Sequence, residues 1–327
     1  MSQTEMTLIE IDLATLDLQD DSWRFTLGNP SSALLESIRA VGCLCPPLVV
    51  RQANSETRAV WLPIAGFKRL QALQASGVSR IAVWDVSSLD DFGRVVAAGR
   101  DASRDGELSP FACARAITLA QRTGASADAI AAELLPSLGL APHRAVMKRY
   151  LKLSRIPRPL QDLLEEKGLS IKRAIDFAGV SEEDGELLVG IARHLGLSAR
   201  ALEEWTGMLR QSAERDGKSW AQAFEDAGCA EVLRNPKWAS PEKTRRIRRL
   251  LWQLRYPRWA TQQDRVEEAL ASLELPPDAS VQWDERFEQE GFRLTLQVRT
   301  TDEFSNALDK LSQPDTVSKI RSLLALL

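Results

Sequence analysis

The segment APHRAVMKRYLKLSRIPRP, residues 141–159, contains lysines and arginines but no acidic residue. Acidic residues are absent from the whole interval between Glu133 and Asp162, in a chain of 327 residues with a net charge of −3. The basic residues of this segment recur mainly at intervals of three and four, so a helix would present most of them on one face. They are Arg144, Lys148, Arg149, Lys152, Arg155 and Arg158.

Apolar residues of the same segment fall on the opposite side of the predicted helix. They are Val146, Met147, Tyr150, Leu151 and Leu153. The preceding stretch supplies a partner helix, because Ser126 is a suitable N-cap and apolar residues follow at helical spacing from 127 to 134. A small apolar helix followed by a basic helix is typical of a helix-turn-helix, whose second helix enters the DNA major groove.

The basic face therefore predicts double-stranded DNA as a partner. The residues expected to contact it are Arg144, Lys148, Arg149, Lys152 and Arg155, some touching phosphates and others base edges. The alternative is a helical hairpin whose basic face is merely solvated.

Composition places the chain among ordinary soluble proteins, with 44% hydrophobic and 27% charged residues. It contains no apolar run of membrane-spanning length, and its acidic N-terminus differs from a signal peptide, so we expect a cytoplasmic protein with no membrane partner. The four cysteines do not form a disulfide framework in a chain of this length. Their spacing from the two histidines also gives no metal site.

We predict a mixed, mainly α protein of three parts. Residues 1–99 alternate strand and helix patterns and predict a compact α+β domain. Residues 100–108 are polar and begin after a glycine, so we expect a linker there. Residues 109–236 predict an all-helical domain that contains the helix-turn-helix, and residues 237–327 a small C-terminal α+β domain of unknown role.

A second candidate site lies where a strand predicted over residues 59–64 runs through Gly66 into a helix. The start of a helix presents unpaired backbone N–H groups and the positive end of the helix dipole, and Lys68 and Arg69 lie in its first turn. Such an arrangement can hold a phosphate. The alternative is that Gly66 only permits a tight turn and the two cations are surface charges.

A second basic surface is predicted in the helix that covers residues 243–254. It consists of Arg245, Arg246, Arg248 and Arg249. Trp252, Tyr256 and Trp259 lie in or just beyond this helix, and basic residues interleaved with aromatic ones can hold nucleic acid by charge and stacking. An amphipathic surface helix with its tryptophans in the core explains the same pattern.

The order of these parts resembles the ParB family of plasmid and chromosome partition proteins over roughly residues 7–180. The segments that carry the resemblance are LLESI at 34–38, GCLCP at 42–46, PIAGFKRLQA at 63–72, LSP at 108–110 with ARA at 114–116, and DAIA at 128–131 with YLKL at 150–153. The resemblance implies an N-terminal domain of the ParB and sulfiredoxin-like fold and a central helix-turn-helix domain.

In that family the N-terminal domain binds and hydrolyses CTP through a G-E-R-R-x-R-A segment and a later E-N-x-Q-R segment. Gly66 and Arg69 match the first, whereas Lys68 replaces an arginine, Phe67 stands at the glutamate position and Gln71 at that of the last arginine. The E-N-x-Q-R segment corresponds to about residues 101–105, or one residue earlier, and this stretch shares little with it except charged residues. The resemblance thus implies CTP with Mg²⁺ as the candidate cofactor, no catalytic residue, and a weak CTPase as the activity to expect if the protein is an enzyme. The tentative phosphate-binding residues are Arg24, Gly66, Lys68 and Arg69.

Several functions fit the resemblance. A partition protein would be a homodimer at the nucleoid or on a plasmid, would partner a ParA-type ATPase, and its N-terminal domain would act as a divergent nucleotide-gated clamp. A transcriptional regulator would use the same helix-turn-helix. A ParB-like nuclease would need a carboxylate cluster, for which Asp85, Asp90 and Asp91 are the candidates. A sulfiredoxin-like reaction is excluded, because Phe67 and Lys68 occupy the place of its cysteine-containing phosphate loop.

Overall fold

The computed structural model describes residues 6–52, 60–276, 279–284, 287 and 289–327. They form a mainly helical structure of two compact units, an N-terminal unit of residues 1–193 and a C-terminal unit of residues 194–327. This division differs from the boundaries predicted at residues 99, 108 and 236. Within the described ranges, every helix is too short or too polar to span a bilayer.

The N-terminal unit contains a four-stranded sheet. Its strands are β1 (Thr7–Asp12), β2 (Leu48–Arg51), β3 (Trp61–Ala65) and β4 (Arg80–Asp85), in the order β1-β4-β2-β3. β1 is antiparallel to β4 and β2 to β3, whereas β2 and β4 are parallel. Val49 of β2, Ile64 of β3 and Val83 of β4 are fully buried, so these three strands contribute to the core. Residue 59 of the strand predicted over 59–64 lies outside the described residues.

The remaining elements of the N-terminal unit are helices. They are α1 (Ser32–Val41), α2 (Phe67–Ala75), α3 (Asp91–Ala102), α4 (Pro110–Arg122), α5 (Ala127–Ala129), a π-helical turn (Ile130–Leu134), α6 (Leu135–Ser137), α7 (Arg144–Leu151), α8 (Arg158–Glu166), α9 (Ile171–Ala174) and α10 (Glu182–Leu195), which ends two residues into the C-terminal unit. Short 3₁₀ turns cover Leu13–Thr15, Ser103–Asp105, Leu153–Arg155 and Ile175–Phe177.

Side-chain caps fix where several of these helices begin. Ser31, Ser109 and Ser126 each accept a hydrogen bond from the backbone N–H three residues later, which satisfies a donor that has no partner inside the helix. The cap of α3 is Asp90, whose side chain accepts from the Gly93 N–H at 2.7 Å. The carboxylate at this position also complements the positive end of the helix.

The first part of residues 100–108, where the sequence predicts a linker, is helical. Helix α3 continues to Ala102, and the 3₁₀ turn Ser103–Asp105 follows it directly. At Gly99 the helix approaches α6 so closely that a Cβ would lie 2.6 Å from Ser137 Oγ and 3.2 Å from Leu138 Cδ2. Gly99 is therefore the point of contact between two helices, and its lack of a side chain permits the contact.

One hydrophobic core joins the sheet to the helices that follow it. Its buried residues run from Phe25 through Ile64 and Val95 to Leu134 and Met147. A second cluster, on the other face of the sheet, includes Ile38 and Leu70. Because a single core extends from strand β3 to helix α7, the N-terminal α+β region and the predicted helix-turn-helix form one compact unit.

The C-terminal unit contains further helices and one hairpin. Its elements are α11 (Ala199–Asp216), α12 (Trp220–Asp226), α13 (Cys229–Arg234), α14 (Ser240–Arg255), α15 (Pro257–Ala271), the strands β5 (Ala279–Trp283) and β6 (Phe292–Leu296), α16 (Thr301–Leu311) and α17 (Pro314–Leu324). The strands pair antiparallel, and Val266, Leu273 and Leu323 are the buried residues of a small core beside them.

Candidate nucleic-acid interface and phosphate cavity

The orientation of helix α7 is set by its buried apolar side. Met147 and Leu153 are at most 4% exposed, and Val146, Tyr150 and Leu151 pack against the same core. Because this side faces inward, the basic side faces solvent: the side chains of Arg144, Lys148, Arg149, Lys152 and Arg155 are all exposed. The division into an apolar and a basic face that the spacing predicts is present in the structure.

The helix before α7 is a continuous run from Ala127 to Ser137 with a π-helical turn inside it. Ile130 and Leu134 are buried in the shared core, as the sequence predicted for a partner helix. The connection to α7 spans residues 138–143, which is longer than the three to four residues of a tight helix-turn-helix. It begins after Ser137, whose backbone oxygen accepts a hydrogen bond from Ser103 Oγ at 3.0 Å.

Arg144 differs from the other basic residues of α7 because it is already paired. Its Nε donates to Asp128 Oδ1 at 2.6 Å, and its Nη2 donates to the other carboxylate oxygen. This hydrogen bond with Arg144 lowers the pKa of Asp128 below its ordinary value and raises that of Arg144. Both side chains are exposed, so DNA phosphates can compete for the arginine.

The other four cations of this face are free. In the part of the chain that the structure describes, no ion pair involves Lys148, Arg149, Lys152 or Arg155. Arg158, at the end of the segment, pairs with Asp162 at 3.0 Å. The exposed face of α7 and the turn after it therefore carries uncompensated positive charge, which is what a polyanion needs.

Each arginine of the second basic surface has an acidic partner. Arg245 and Arg246 both pair with Glu242, Arg248 pairs with Glu204 at 2.9 Å, and Arg249 with Glu267 at 3.2 Å. The guanidinium of Arg246 also lies 4.2 Å from the centre of the Trp238 ring. These contacts leave the surface with much less free charge than the sequence of α14 suggests.

The aromatic residues near α14 pack on one another. The ring centroids of Trp252 and Tyr256 are 4.5 Å apart, and those of Trp252 and Trp259 are 5.3 Å apart. Trp259 in turn meets Phe287 edge to face at 6.5 Å. Rings that already stack on neighbours within the C-terminal unit offer less free surface for bases.

A cavity of about 250 Å³ lies beside Gly66, at the start of α2. Gly66 has φ = +85°, and a Cβ there would lie 3.0 Å from Pro47 Cβ, so both the backbone conformation and the space require glycine. No side chain caps this helix end, which leaves the first-turn N–H groups without intrahelical partners. Phe25 and Ile64 line the apolar side of this Gly66 cavity.

The basic residues in the Gly66 cavity and beside it have different numbers of partners. Arg69 forms a buried ion pair with Asp101 and donates to the backbone oxygen of Cys45 at 2.7 Å. Arg24 donates to the backbone oxygens of Thr26 and Gly28, each at 3.1 Å. Lys68, which also lines the cavity, is exposed and forms no ion pair with any described residue.

The arginine at position 24 is tied to the cavity through a ring. Its guanidinium lies 5.5 Å from the centre of the Phe67 ring, and Phe67 lines the Gly66 cavity. Of the tentative phosphate-binding residues, Gly66, Lys68 and Arg69 line the cavity, and Arg24 lies beside it against the Phe67 ring. The structure adds two carboxylates, because Asp101 and Glu107 line the same cavity.

The carboxylates considered for a nuclease have local structural partners. Asp85 accepts from the N–H and Oγ of Ser87, Asp90 caps α3, and Asp91 pairs with Arg94 at 2.6 Å. Within the described ranges, no group of three or more His, Cys, Asp or Glu residues could hold a metal ion.

Comparisons with known proteins give structural likenesses only. No protein-family model and no curated protein match the chain. Among solved structures, it is similar to the C-terminally truncated chromosome-partitioning protein ParB from Caulobacter crescentus complexed to the centromeric parS site, with 19% identity, coverage of 60% of this chain and 96% of that chain, and a TM-score of 0.35. It is also similar to the same truncated protein complexed with CTP-γ-S, with 21% identity and a TM-score of 0.27. That match covers 56% of this chain and 97% of the other. ParB is the family whose motifs the sequence resembles.

Three residues at these sites escaped the sequence reasoning. Asp128 pairs with Arg144, 16 residues away in sequence, and Asp101 pairs with Arg69, 32 residues away. No helical or strand periodicity links two charges at such sequence separations. Glu242 was detectable, because it lies three and four residues before its two arginines on one helix, which is the spacing of helical ion pairs.

Proposed function

We propose that this chain is a ParB-like DNA-binding protein that acts in plasmid or chromosome partition and contacts duplex DNA with helix α7 as the second helix of a helix-turn-helix. The observation that carries the proposal is the exposed, unpaired basic face of α7, held outward by its buried apolar side. The proposed contacts are Lys148, Arg149, Lys152 and Arg155, with Arg144 joining when it leaves Asp128.

The charge distribution supports α7 over the second basic surface. A cation already paired with a carboxylate must lose that partner before it can neutralise a phosphate, so it gains less from binding DNA. The four unpaired cations of α7 and the turn after it can neutralise phosphates without breaking an ion pair. Each phosphate that they neutralise releases counterions from the DNA and adds about 0.9 to the magnitude of the slope of log K against log salt. Four contacts predict a loss of affinity of roughly a hundredfold between 50 and 200 mM salt.

The test is salt-dependent binding of the full chain to labelled duplexes, measured by fluorescence anisotropy. Lys148→Ala/Arg149→Ala should weaken binding and flatten the salt slope by about 1.8, because two phosphate contacts are lost. If one of the two residues contacts a base edge instead, the slope falls by about 0.9 and sequence discrimination relaxes.

A matched control is Arg245→Ala/Arg246→Ala, which changes the net charge by the same amount. Both arginines share Glu242, so we expect the slope to stay within error of the wild type. The proposal fails if this control loses affinity while the α7 variant keeps it. It also fails if the wild type binds no duplex at low salt.

We propose, second, that the Gly66 cavity binds the phosphates of a nucleotide, with CTP as the first candidate. The free N–H groups at the start of α2, the Lys68 ammonium and the apolar wall support phosphate binding next to a base or ribose. The Arg69–Asp101 pair would hold the helix start in place. The residues present fit phosphate better than Mg²⁺, since Asp101 is committed to Arg69. A bound nucleotide would switch the N-terminal domain from one state of a clamp to the other.

Calorimetric titration with CTP, and with UTP as the matched ligand, tests this second proposal without DNA. Lys68→Ala should weaken CTP binding, whereas Glu107→Gln should strengthen it, because Glu107 is the cavity carboxylate with no described ion pair. If neither nucleotide gives a measurable heat of binding, the cavity is not a nucleotide site. That outcome would not affect the DNA proposal.

Partition and transcriptional regulation use the same DNA-binding parts. We propose partition because the motif order resembles ParB, with a homodimer and a ParA-type ATPase as the expected partners. Sedimentation of the full chain tests the dimer. Mapping of the bound sites separates the functions: a few clustered sites at a centromere-like locus support partition, and sites at promoters support regulation.

A further inference from the structure

Two thiols lie close together at the surface of the N-terminal unit, in the segment between α1 and β2. Cys43 and Cys45 are both half-buried, and Leu44 between them is 76% exposed, so the segment is open to solvent. Cys43 Sγ donates to the backbone oxygen of Cys45 at 3.2 Å. This contact places the first sulfur against the backbone of the second cysteine residue.

A guanidinium accompanies the second thiol. Arg104 Nη2 donates to Cys45 Sγ at 3.6 Å, and reactive cysteines typically lie in such electropositive, partly exposed surroundings. Both cysteines and Arg104 line a small cavity of about 140 Å³ together with Arg69 and Asp101. Arg69 and Asp101 pair with each other, whereas Arg104 forms no ion pair with any residue that the structure describes.

The two thiols differ in a way that assigns their roles. Burial raises the pKa of the Cys43 thiol, so Cys43 is mostly protonated near neutral pH. Cys45, with Arg104 against its sulfur, is the one arranged to attack an oxidant first. Accessible thiols beside a second cysteine are where reversible oxidation occurs in proteins.

We propose that Cys45 is a site of reversible oxidation by hydrogen peroxide and that Cys43 is its resolving thiol. In the first step the Cys45 sulfur attacks the peroxide, an S–O bond forms, the O–O bond breaks, and the leaving hydroxide takes up the thiol proton as water. In the second step the Cys43 sulfur attacks the sulfenic acid, an S–S bond forms, and the S–O bond breaks with loss of a second water. The two thiols together lose two electrons, and one peroxide accepts them and is reduced to two waters.

The thiol cavity is connected to the Gly66 cavity through one side chain. Arg69 lines both, and its Nη1 donates to the same Cys45 backbone oxygen that accepts from Cys43 Sγ. Disulfide formation removes the Cys43 donor from the oxygen that also accepts from Arg69. Oxidation therefore acts on a residue that lines the candidate phosphate site.

The chain contains its own controls. Cys113 and Cys229 are at most 1% exposed, and burial raises the pKa of each thiol to about 12. Trypsin separates the cysteines onto three peptides, residues 40–51, 105–115 and 219–234, and the first contains both members of the pair. Oxidation can thus be followed at each position in one sample of the full, folded chain.

The test is peroxide treatment, alkylation of the remaining thiols and mass spectrometry of the tryptic peptides. We expect peptide 40–51 to lose two hydrogens and its alkylation sites, and to recover both with dithiothreitol, while the buried cysteines stay reduced. Cys43→Ser should leave a sulfenic acid on Cys45 that dimedone traps, and Cys45→Ser should leave Cys43 unoxidised over the same time. Equal rates at all four cysteines, or dimedone trapping on Cys43, would overturn the proposal.

The contribution of Arg104 is tested with a charge-matched pair of variants. Arg104→Gln should slow the first step severalfold, because it removes the positive group that donates to the Cys45 sulfur. Arg100→Gln removes the same charge from an exposed position of α3 that does not line the thiol cavity, and should leave the rate unchanged. Identical rates in the two variants would refute the assigned role of Arg104. No arm of this experiment uses DNA or a nucleotide, so its outcome is independent of the proposed function.

Discussion

The close approach of α3 to α6 makes a specific stability prediction for Gly99→Ala. The added Cβ would lie 2.6 Å from Ser137 Oγ and 3.2 Å from Leu138 Cδ2, both closer than carbon normally allows. Overpacking of this kind costs about 1–3 kcal/mol, and alanine returns up to about 1 kcal/mol of helix propensity. Ser137 Oγ cannot rotate away freely, because it donates to Leu134 O at 2.7 Å. We therefore expect a net destabilisation of about 1–2 kcal/mol.

A double-mutant cycle tests the assigned cause. Ser137→Ala alone should cost about 1 kcal/mol for the lost hydrogen bond. In combination with Gly99→Ala it removes the nearest clashing atom, so the pair should cost at least about 1 kcal/mol less than the sum of the single variants. Hydrogen exchange of the α3 amides measures these energies in the N-terminal unit. Gly190→Ala, at an exposed helical glycine with open space around it, should stabilise instead. Strict additivity, or stabilisation by both glycine variants, would refute the steric argument.

Three further predictions concern ion pairs of the N-terminal unit. Asp128→Asn frees Arg144 and removes one negative charge, so duplex binding in the anisotropy assay should tighten several-fold at low salt; an unchanged affinity would place Arg144 away from DNA. Because the hydrogen bond from Arg144 lowers the pKa of Asp128 in the folded state, the pair stabilises the protein above the unfolded pKa, and this contribution is lost as pH falls through the lowered value. Carboxyl-carbon NMR of Arg144→Ala should therefore show Asp128 titrating near the ordinary value of about 3.9. Arg115→Met removes the charged partner of Glu165 and leaves it, among its described contacts, only the hydrogen bond from Ser109 Oγ, so it should cost about 3 kcal/mol. Arg115→Met/Glu165→Leu should restore most of that loss in thermal unfolding.

The sequence predicts elements well where local rules decide them. The caps at Ser31 and Ser126, the proline at the start of α4 and the two faces of α7 follow from residue types at fixed spacing. Such features depend on backbone hydrogen bonds and on helical periodicity, both of which act within a few residues. The same rules predicted the Gly66 junction, where a strand passes directly into a helix.

The errors arise where tertiary contacts override local preference. Residues 100–108 are polar and follow Gly99, which are signals of a linker, yet the glycine continues a helix because α6 needs the space of its missing side chain. The second basic surface seemed available because one of its partners, Glu204, lies 44 residues before Arg248. Such pairings are set by the packing of whole elements, and nothing in a local window of sequence encodes them.

The single core that joins the sheet to helix α7 has a thermodynamic consequence. Ile64 lines the Gly66 cavity and Met147 anchors the basic face, and both belong to this core, so a ligand that shifts one wall strains packing that the other shares. If a ligand in the cavity changes the affinity of α7 for DNA by some factor, DNA must change the affinity for that ligand by the same factor. DNA would then be an allosteric effector of ligand binding in the cavity. A titration of the cavity ligand in the presence of DNA, or of DNA in the presence of the cavity ligand, would measure the same coupling energy.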